Sequence, residues 1–96
     1  MAAKVFGDTE RAQIIALNAL AYLAGDEDWL NHFLTATGMD FDGLKAGAGD
    51  IGFLAGIMDY FLQNEALLLA FAAAEELAPD TIVRARQHLP GALNDQ

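Results

Sequence analysis

The chain has 96 residues, of which 54% are hydrophobic and 20% charged, and fourteen acidic against five basic side chains give a net charge of -9. This composition predicts one compact domain, and it argues against a nucleic-acid partner because most of the surface repels phosphate groups. The absence of Cys and Ser excludes disulfides, cysteine zinc sites and thiol or seryl nucleophiles.

The apolar stretches are too short to cross a membrane. The two longest, 51–62 and 66–74, are interrupted by Asp59 and by the polar residues 63–65, whereas a membrane span needs roughly 20 apolar residues. Residues 1–7 contain one Lys and no long apolar stretch, which does not fit a signal peptide. We therefore expect a cytoplasmic protein that does not enter a membrane.

Helix start and stop signals recur along the whole chain. Apolar stretches follow residues whose side chains can accept hydrogen bonds from a first helical turn, among them Asp26, Asp40, Asp50 and Asn64. Pro79 suits the first position of the last helix. No stretch alternates with period two, so no strand is predicted. The predicted helices begin at Asp8 or Thr9 and run to about 24, then cover 27–37, 41–46, 51–63 and 65–77, and the last runs from 79 to 88 or 89. The tails 1–7 and 92–96 are expected to fray.

The sequence also resembles itself at an offset of 38 residues, which aligns 12–48 with 50–86. Chance gives about three identities at any offset in so Ala- and Leu-rich a chain, so the signal lies in the recurring order of polar and apolar residues more than in the six identities. We therefore predict an all-α fold, a compact six-helix bundle built from two pseudo-repeated three-helix units at about 12–49 and 50–87. The identical pairs are Tyr22 and Tyr60, Glu27 and Glu65, Leu30 and Leu68, Phe33 and Phe71, Ala36 and Ala74, and Asp42 and Asp80.

The middle helices of the two units differ on one side. Four of five polar positions in the first become apolar in the second, and an exposed Leu forgoes about 1.5–3 kcal/mol relative to a buried one, so this side needs a cover. Either the outer helices and the N-terminal arm cover it, or it forms an interaction surface for a homodimer or another protein. The surface residues are Ala66, Leu69, Ala70 and Ala73, which replace Asp28, Asn31, His32 and Thr35.

Gly52, Gly56, Asp59 and Gln63 share one face of the fourth helix. Glycine inside a helix costs about 1 kcal/mol relative to Ala, so this face is a candidate groove or close helix contact. The alternative is an open face near the start of the helix, with Asp59 in contact with solvent.

Arg84, Arg86 and His88 form a basic cluster in an acidic chain. These residues could contact an anionic ligand or an acidic partner segment. Alternatively, they complement the negative end of the last helix.

No combination of residues predicts catalysis or metal binding. His32 lies four residues after Asp28, but no other His or Cys is near enough in sequence to complete a metal site. Asp40 and Asp42 resemble the opening of a calcium loop, although the spacing of Gly43 is wrong and no Glu stands at the twelfth position. We expect helix caps here, no cofactor, and no enzyme.

Five segments carry a resemblance to a known family: LAYLAGDED (20–28), FLTATG (33–38), AGDIGFL (48–54), MDYFL (58–62) and RARQHLPG (84–91). Together they resemble a small family of uncharacterised alphaproteobacterial proteins, the domain of unknown function family 3572. The resemblance implies a short, stand-alone, cytoplasmic helical protein, and it supplies no catalytic residue. Members of the family carry acidic and aromatic residues where this chain has the Ala- and Leu-rich stretch 65–71.

The sequence thus favours a non-enzymatic helical interaction module, self-associating or binding another protein through the second middle helix. The alternative from a different class is a carrier of a small apolar ligand, with a cavity between the two helical units. The side chains expected to line that cavity are Phe53, Phe61, Leu67, Leu68 and Phe71.

Overall fold

The computed structural model describes residues 8–91, and the predicted frayed tails lie outside this range. The described part folds into six α-helices and contains no strand, which confirms the all-α prediction. No helix in this range combines the length and the apolar character that a membrane crossing requires. The helices are α1 (Asp8–Ala24), α2 (Glu27–Thr37), α3 (Phe41–Gly47), α4 (Ile51–Gln63), α5 (Glu65–Glu75) and α6 (Pro79–Gln87).

Three of the four predicted side-chain caps are present. The carboxylate of Asp26 accepts a hydrogen bond from the backbone N–H of Trp29 at 3.0 Å, and Asp40 and Asp50 cap α3 and α4 in the same way. These bonds satisfy N–H groups that have no partner within the helix. The prediction for Asn64 is wrong, because its amide instead donates to the carbonyl oxygen of Tyr60 at 2.7 Å.

The two middle helices end in the same backbone conformation. Gly38 follows α2 with a φ of 75°, and Glu76 follows α5 with a φ of 58°. Both values lie in the left-handed region, which turns the chain sharply out of the helix. Because Glu76 adopts this conformation, α5 ends two residues earlier than the predicted Leu77.

The core lies between the two long helices α1 and α4. Helices α2, α4 and α6 pack against α1, and α4 also contacts α5 and α6. The interior is filled by large side chains with no solvent exposure, such as Leu23, Phe61, Phe71 and Ile82. The two central helices therefore support the outer ones, whose remaining faces are free to meet solvent.

Aromatic contacts join the two halves of the chain in a reciprocal way. Tyr22 of α1 packs edge to face against Phe71 of α5, with ring centroids 5.6 Å apart. Tyr60 of α4 makes the equivalent contact with Phe33 of α2 at 4.9 Å. The 38-residue offset relates Tyr22 to Tyr60 and Phe33 to Phe71, so it relates the two contacts to each other.

Candidate interaction surface

The outward face of α5 is apolar. Leu69 is 47% exposed, and Ala66, Ala70 and Ala73 around it are exposed as well. These four residues, here called the α5 surface, recur at the i, i+3, i+4 and i+7 spacing of a single helix stripe. The opposite side of α5 enters the core through Leu67, Phe71 and Ala72.

Helix α2 presents the same face with different chemistry. Seven positions of α2 are exposed, and the seven positions 38 residues later are those that are exposed in α5. In α2 this face is polar or charged at all but one position, whereas in α5 only the two terminal glutamates are charged. The exposed positions are Glu27, Asp28, Asn31, His32, Thr35, Ala36 and Thr37 in α2, and Glu65, Ala66, Leu69, Ala70, Ala73, Ala74 and Glu75 in α5.

The alternative in which the outer helices bury this side is therefore wrong. Helix α6 does pack against α5, but within residues 8–91 the α5 surface stays exposed to solvent. The predicted contribution of an N-terminal arm falls on residues 1–7, outside the described range. The helical spacing of the apolar residues predicted the correct face, and the packing of the neighbouring helices leaves this face exposed.

The glycine face of α4 does not form a groove. Gly52, Gly56 and Gln63 are exposed, and a Cβ built at Gly56 would meet no atom within 4 Å. Asp59 contacts solvent with a side chain that is 46% exposed, as the alternative predicted, and its carboxylate also pairs with Arg86. The two glycines thus lie on an open helix surface.

Arg86 is not available to an external anion. Its Nε and Nη2 atoms donate to both carboxylate oxygens of Asp59 at 2.6 and 3.1 Å. Its Nη1 donates to the carbonyl oxygens of Leu89 and Pro90 at 3.3 and 3.0 Å. The residue is only 9% exposed, so it acts as a structural clamp between α4 and the turn after α6.

The rest of the predicted basic cluster lies apart from Arg86. Arg84 pairs with Asp80 one helical turn earlier, at 3.2 Å on the surface. Together with Arg11 of α1, Arg84 and His88 line a shallow depression of about 250 Å³. The three residues of the cluster therefore do not converge on one anion, and the partner of Arg86, 27 residues away, gave no signal in the sequence.

His32 contacts Tyr60 rather than Asp28. Its Nδ1 is hydrogen-bonded to the Tyr60 hydroxyl, and Trp29 packs edge to face against both rings. Burial raises the pKa of the Tyr60 phenol above its ordinary value. This contact ties α2 to α4, and no group of three potential metal ligands occurs in the described residues.

The side chains expected to line a carrier cavity lie in or against the core, with Phe53 and Leu68 half-buried. Phe61, Leu67 and Phe71 have no solvent exposure, and the rings of Phe61 and Phe71 pack edge to face at 5.2 Å. These side chains form core contacts. A surface depression of about 280 Å³ lies elsewhere, between α1 and α3.

Comparison with curated proteins and with solved structures finds no match. A family model described as "Protein of unknown function (DUF3572)" matches residues 9–92. This range includes all six helices except the first residue of α1. The chain therefore belongs to the DUF3572 family.

Proposed function

We propose that the protein is a helical interaction module that self-associates through the α5 surface. The observation that carries this proposal is the contrast between two equivalent faces of one chain. The exposed face of α2 is polar, whereas Ala66, Leu69, Ala70 and Ala73 leave the same face of α5 without a polar group between its terminal glutamates. Exposed apolar stripes of this kind are typical of protein contacts.

The geometry of the stripe suits a second copy in antiparallel orientation. The midpoint of the stripe lies between Leu69 and Ala70, so a two-fold axis there places Ala66 of one copy opposite Ala73 of the other. The same axis brings both copies of Leu69 and Ala70 to the centre, where the small alanines leave room for the leucines. Alanine elsewhere in the stripe lets the two helices approach closely.

Charge and size set the expected strength of this contact. Each copy carries a net charge of -9, so the copies repel one another at low ionic strength. A standard protein interface uses roughly 20–30 residues on each side, far more than one helix stripe provides. We therefore expect a weak, reversible dimer that is strengthened by added salt, because salt screens the repulsion.

Sedimentation velocity over a wide range of protein concentration tests the proposal. The first variant, Leu69→Asn, gives α5 the residue that α2 has at the matching position. A second variant completes the exchange with Ala66→Asp, Leu69→Asn, Ala70→His and Ala73→Thr. Ile14→Asn is a matched control, because Ile14 is 44% exposed on another helix.

The wild type and Ile14→Asn should dimerise as concentration rises, and both α5 variants should stay monomeric with unchanged helical circular dichroism. A wild-type monomer at all concentrations and salt levels would contradict self-association. Equal weakening by Ile14→Asn would show that the contact does not involve α5 specifically.

Two further properties belong to this proposal. We regard the fold as a duplication of one three-helix unit, supported by the 38-residue offset that relates the starts of α2 and α5 and of α3 and α6. We also propose a bacterial, cytoplasmic protein, as the family resemblance implies.

A further inference from the structure

The depression between α1 and α3 differs in its lining from the depression that Arg11, Arg84 and His88 line. It has a volume of about 280 Å³, and every residue that lines it except Lys45 is apolar. Its walls include Leu17, Leu20 and Ala21 of α1 and Phe41 and Leu44 of α3. An almost wholly apolar concavity with one charged group at its edge is typical of a small-molecule site.

Two side chains in this depression remain exposed although they are large and apolar. Leu17 is 41% exposed and Phe41 is 43% exposed, whereas the neighbouring Leu44 is buried. A ligand that entered the depression would remove part of these two side chains from water. The apolar area that drives such binding is therefore present in the free protein.

Lys45 is available to an anionic group. Its ammonium lies 3.9 Å from the nearest Asp42 oxygen, in a pair whose side chains are 64% and 92% exposed, so their attraction is weak. The same ammonium lies 5.3 Å from the ring centroid of Phe41. Lys45 thus places the positive charge beside one of the exposed apolar walls.

We propose that this depression binds a small amphipathic carboxylate, with its alkyl part against Leu17 and Phe41 and its carboxylate near Lys45. The chemical class follows from the pairing of an apolar wall with a single cation. The site shares no residue with the α5 surface, so ligand binding and self-association can be tested independently.

Titration with octanoate, followed by NMR of the leucine methyl groups and of the backbone amides of α3, tests this inference. Octanol is the uncharged comparison ligand. Lys45→Gln removes the proposed carboxylate contact, and Arg84→Gln is the control, because it removes an exposed cation on a different helix.

Octanoate should shift the signals of Leu17, Leu20 and Phe41. Lys45→Gln should weaken octanoate binding about two- to fivefold, in line with one exposed ion pair, and leave octanol binding unchanged. Arg84→Gln should bind octanoate as the wild type does. Shifts spread over the whole surface, or equal octanoate binding by the wild type and Lys45→Gln, would overturn the proposal.

Discussion

Glu76 is a residue in an unfavourable conformation. Its φ of 58° brings the Cβ of an L residue close to the backbone, which costs roughly 1–2 kcal/mol, and Gly avoids this cost. We expect Glu76→Gly to raise the free energy of unfolding by about 0.5–1 kcal/mol. The gain is smaller than the relieved strain, because Gly has more conformational entropy in the unfolded chain. Urea denaturation measures the change. Gly38→Ala should lower stability at the equivalent position, and a destabilising Glu76→Gly would show that the Glu side chain stabilises the turn.

Two glycines should respond in opposite ways to the same substitution. A Cβ built at Gly47 would lie 2.6 Å from Cγ of Phe53, which forces the ring to move, whereas Gly56 has open space. We therefore expect Gly47→Ala to destabilise by about 1–3 kcal/mol through overpacking. Gly56→Ala should stabilise by about 0.5–1 kcal/mol, because Ala is the better helix former. Thermal unfolding of both variants checks this, and equal effects would contradict it.

Single residues were predictable from the sequence where their partners are local. Asp26, Asp40 and Asp50 act on backbone groups within three residues, so position in the chain was sufficient to predict them. Arg86 and His32 find their partners 27 and 28 residues away. Their contacts depend on how α4 packs against other helices, which no local pattern encodes.

At the level of helices, the pair of Arg86 and Asp59 joins α4 to the end of α6. The Arg86 side chain is 11% exposed, and the Asp59 side chain is 46% exposed. Loss of the carboxylate leaves a buried guanidinium charge, while loss of the guanidinium leaves a carboxylate that water can reach. We expect Asp59→Ala to cost about 2–3 kcal/mol and Arg86→Met to cost less, by urea denaturation. The double variant should cost less than the sum, and additive effects would mean that the two side chains are not coupled.

The contact between α2 and α4 should make stability depend on pH in the alkaline range. Burial raises the pKa of Tyr60 in the folded protein above its ordinary value of 10.0, so the unfolded chain loses this proton first as pH rises. The stabilisation is present below pH 10 and is lost as pH rises through the raised pKa. Unfolding free energies measured from pH 8 upward should therefore fall more steeply for the wild type than for Tyr60→Phe. Parallel curves would contradict the role of Tyr60.

Helix number, order and most boundaries followed from cap and stop residues, because these signals act locally. The predicted end of α5 was two residues too late. The helix stops before Glu76, where the sequence lacks the glycine that usually marks such a stop. The exposed face of α5 was identified by its periodicity. Whether that face is covered depends on where α6 and the other helices pack, and this could not be inferred from the helix alone.

At the scale of the whole molecule, the 38-residue offset relates aromatic contacts that join distant parts of the chain. The offset relates Tyr22 to Tyr60 and Phe33 to Phe71, so the contact of Tyr22 with Phe71 and that of Tyr60 with Phe33 are equivalent to each other. These contacts pack the inner sides of α2 and α5 against α4 and α1, and each of the two helices keeps an exposed outer face. One face is polar and the other apolar. Under the proposed self-association each copy therefore offers one contact face, which closes a dimer rather than an extended assembly.

The orientation of the proposed dimer can be read by cysteine crosslinking, because the chain contains no Cys of its own. An axis between Leu69 and Ala70 places the two copies of residue 70 side by side but separates the two copies of residue 66 by about 10 Å along the helix. Disulfides do not form when Cα atoms are more than about 7 Å apart. Under mild oxidation Ala70→Cys should therefore give a covalent dimer, whereas Ala66→Cys and the α2 control Asn31→Cys should not. Crosslinking at both 66 and 70 would indicate parallel helices, and crosslinking at residue 31 alone would place the contact on the other middle helix.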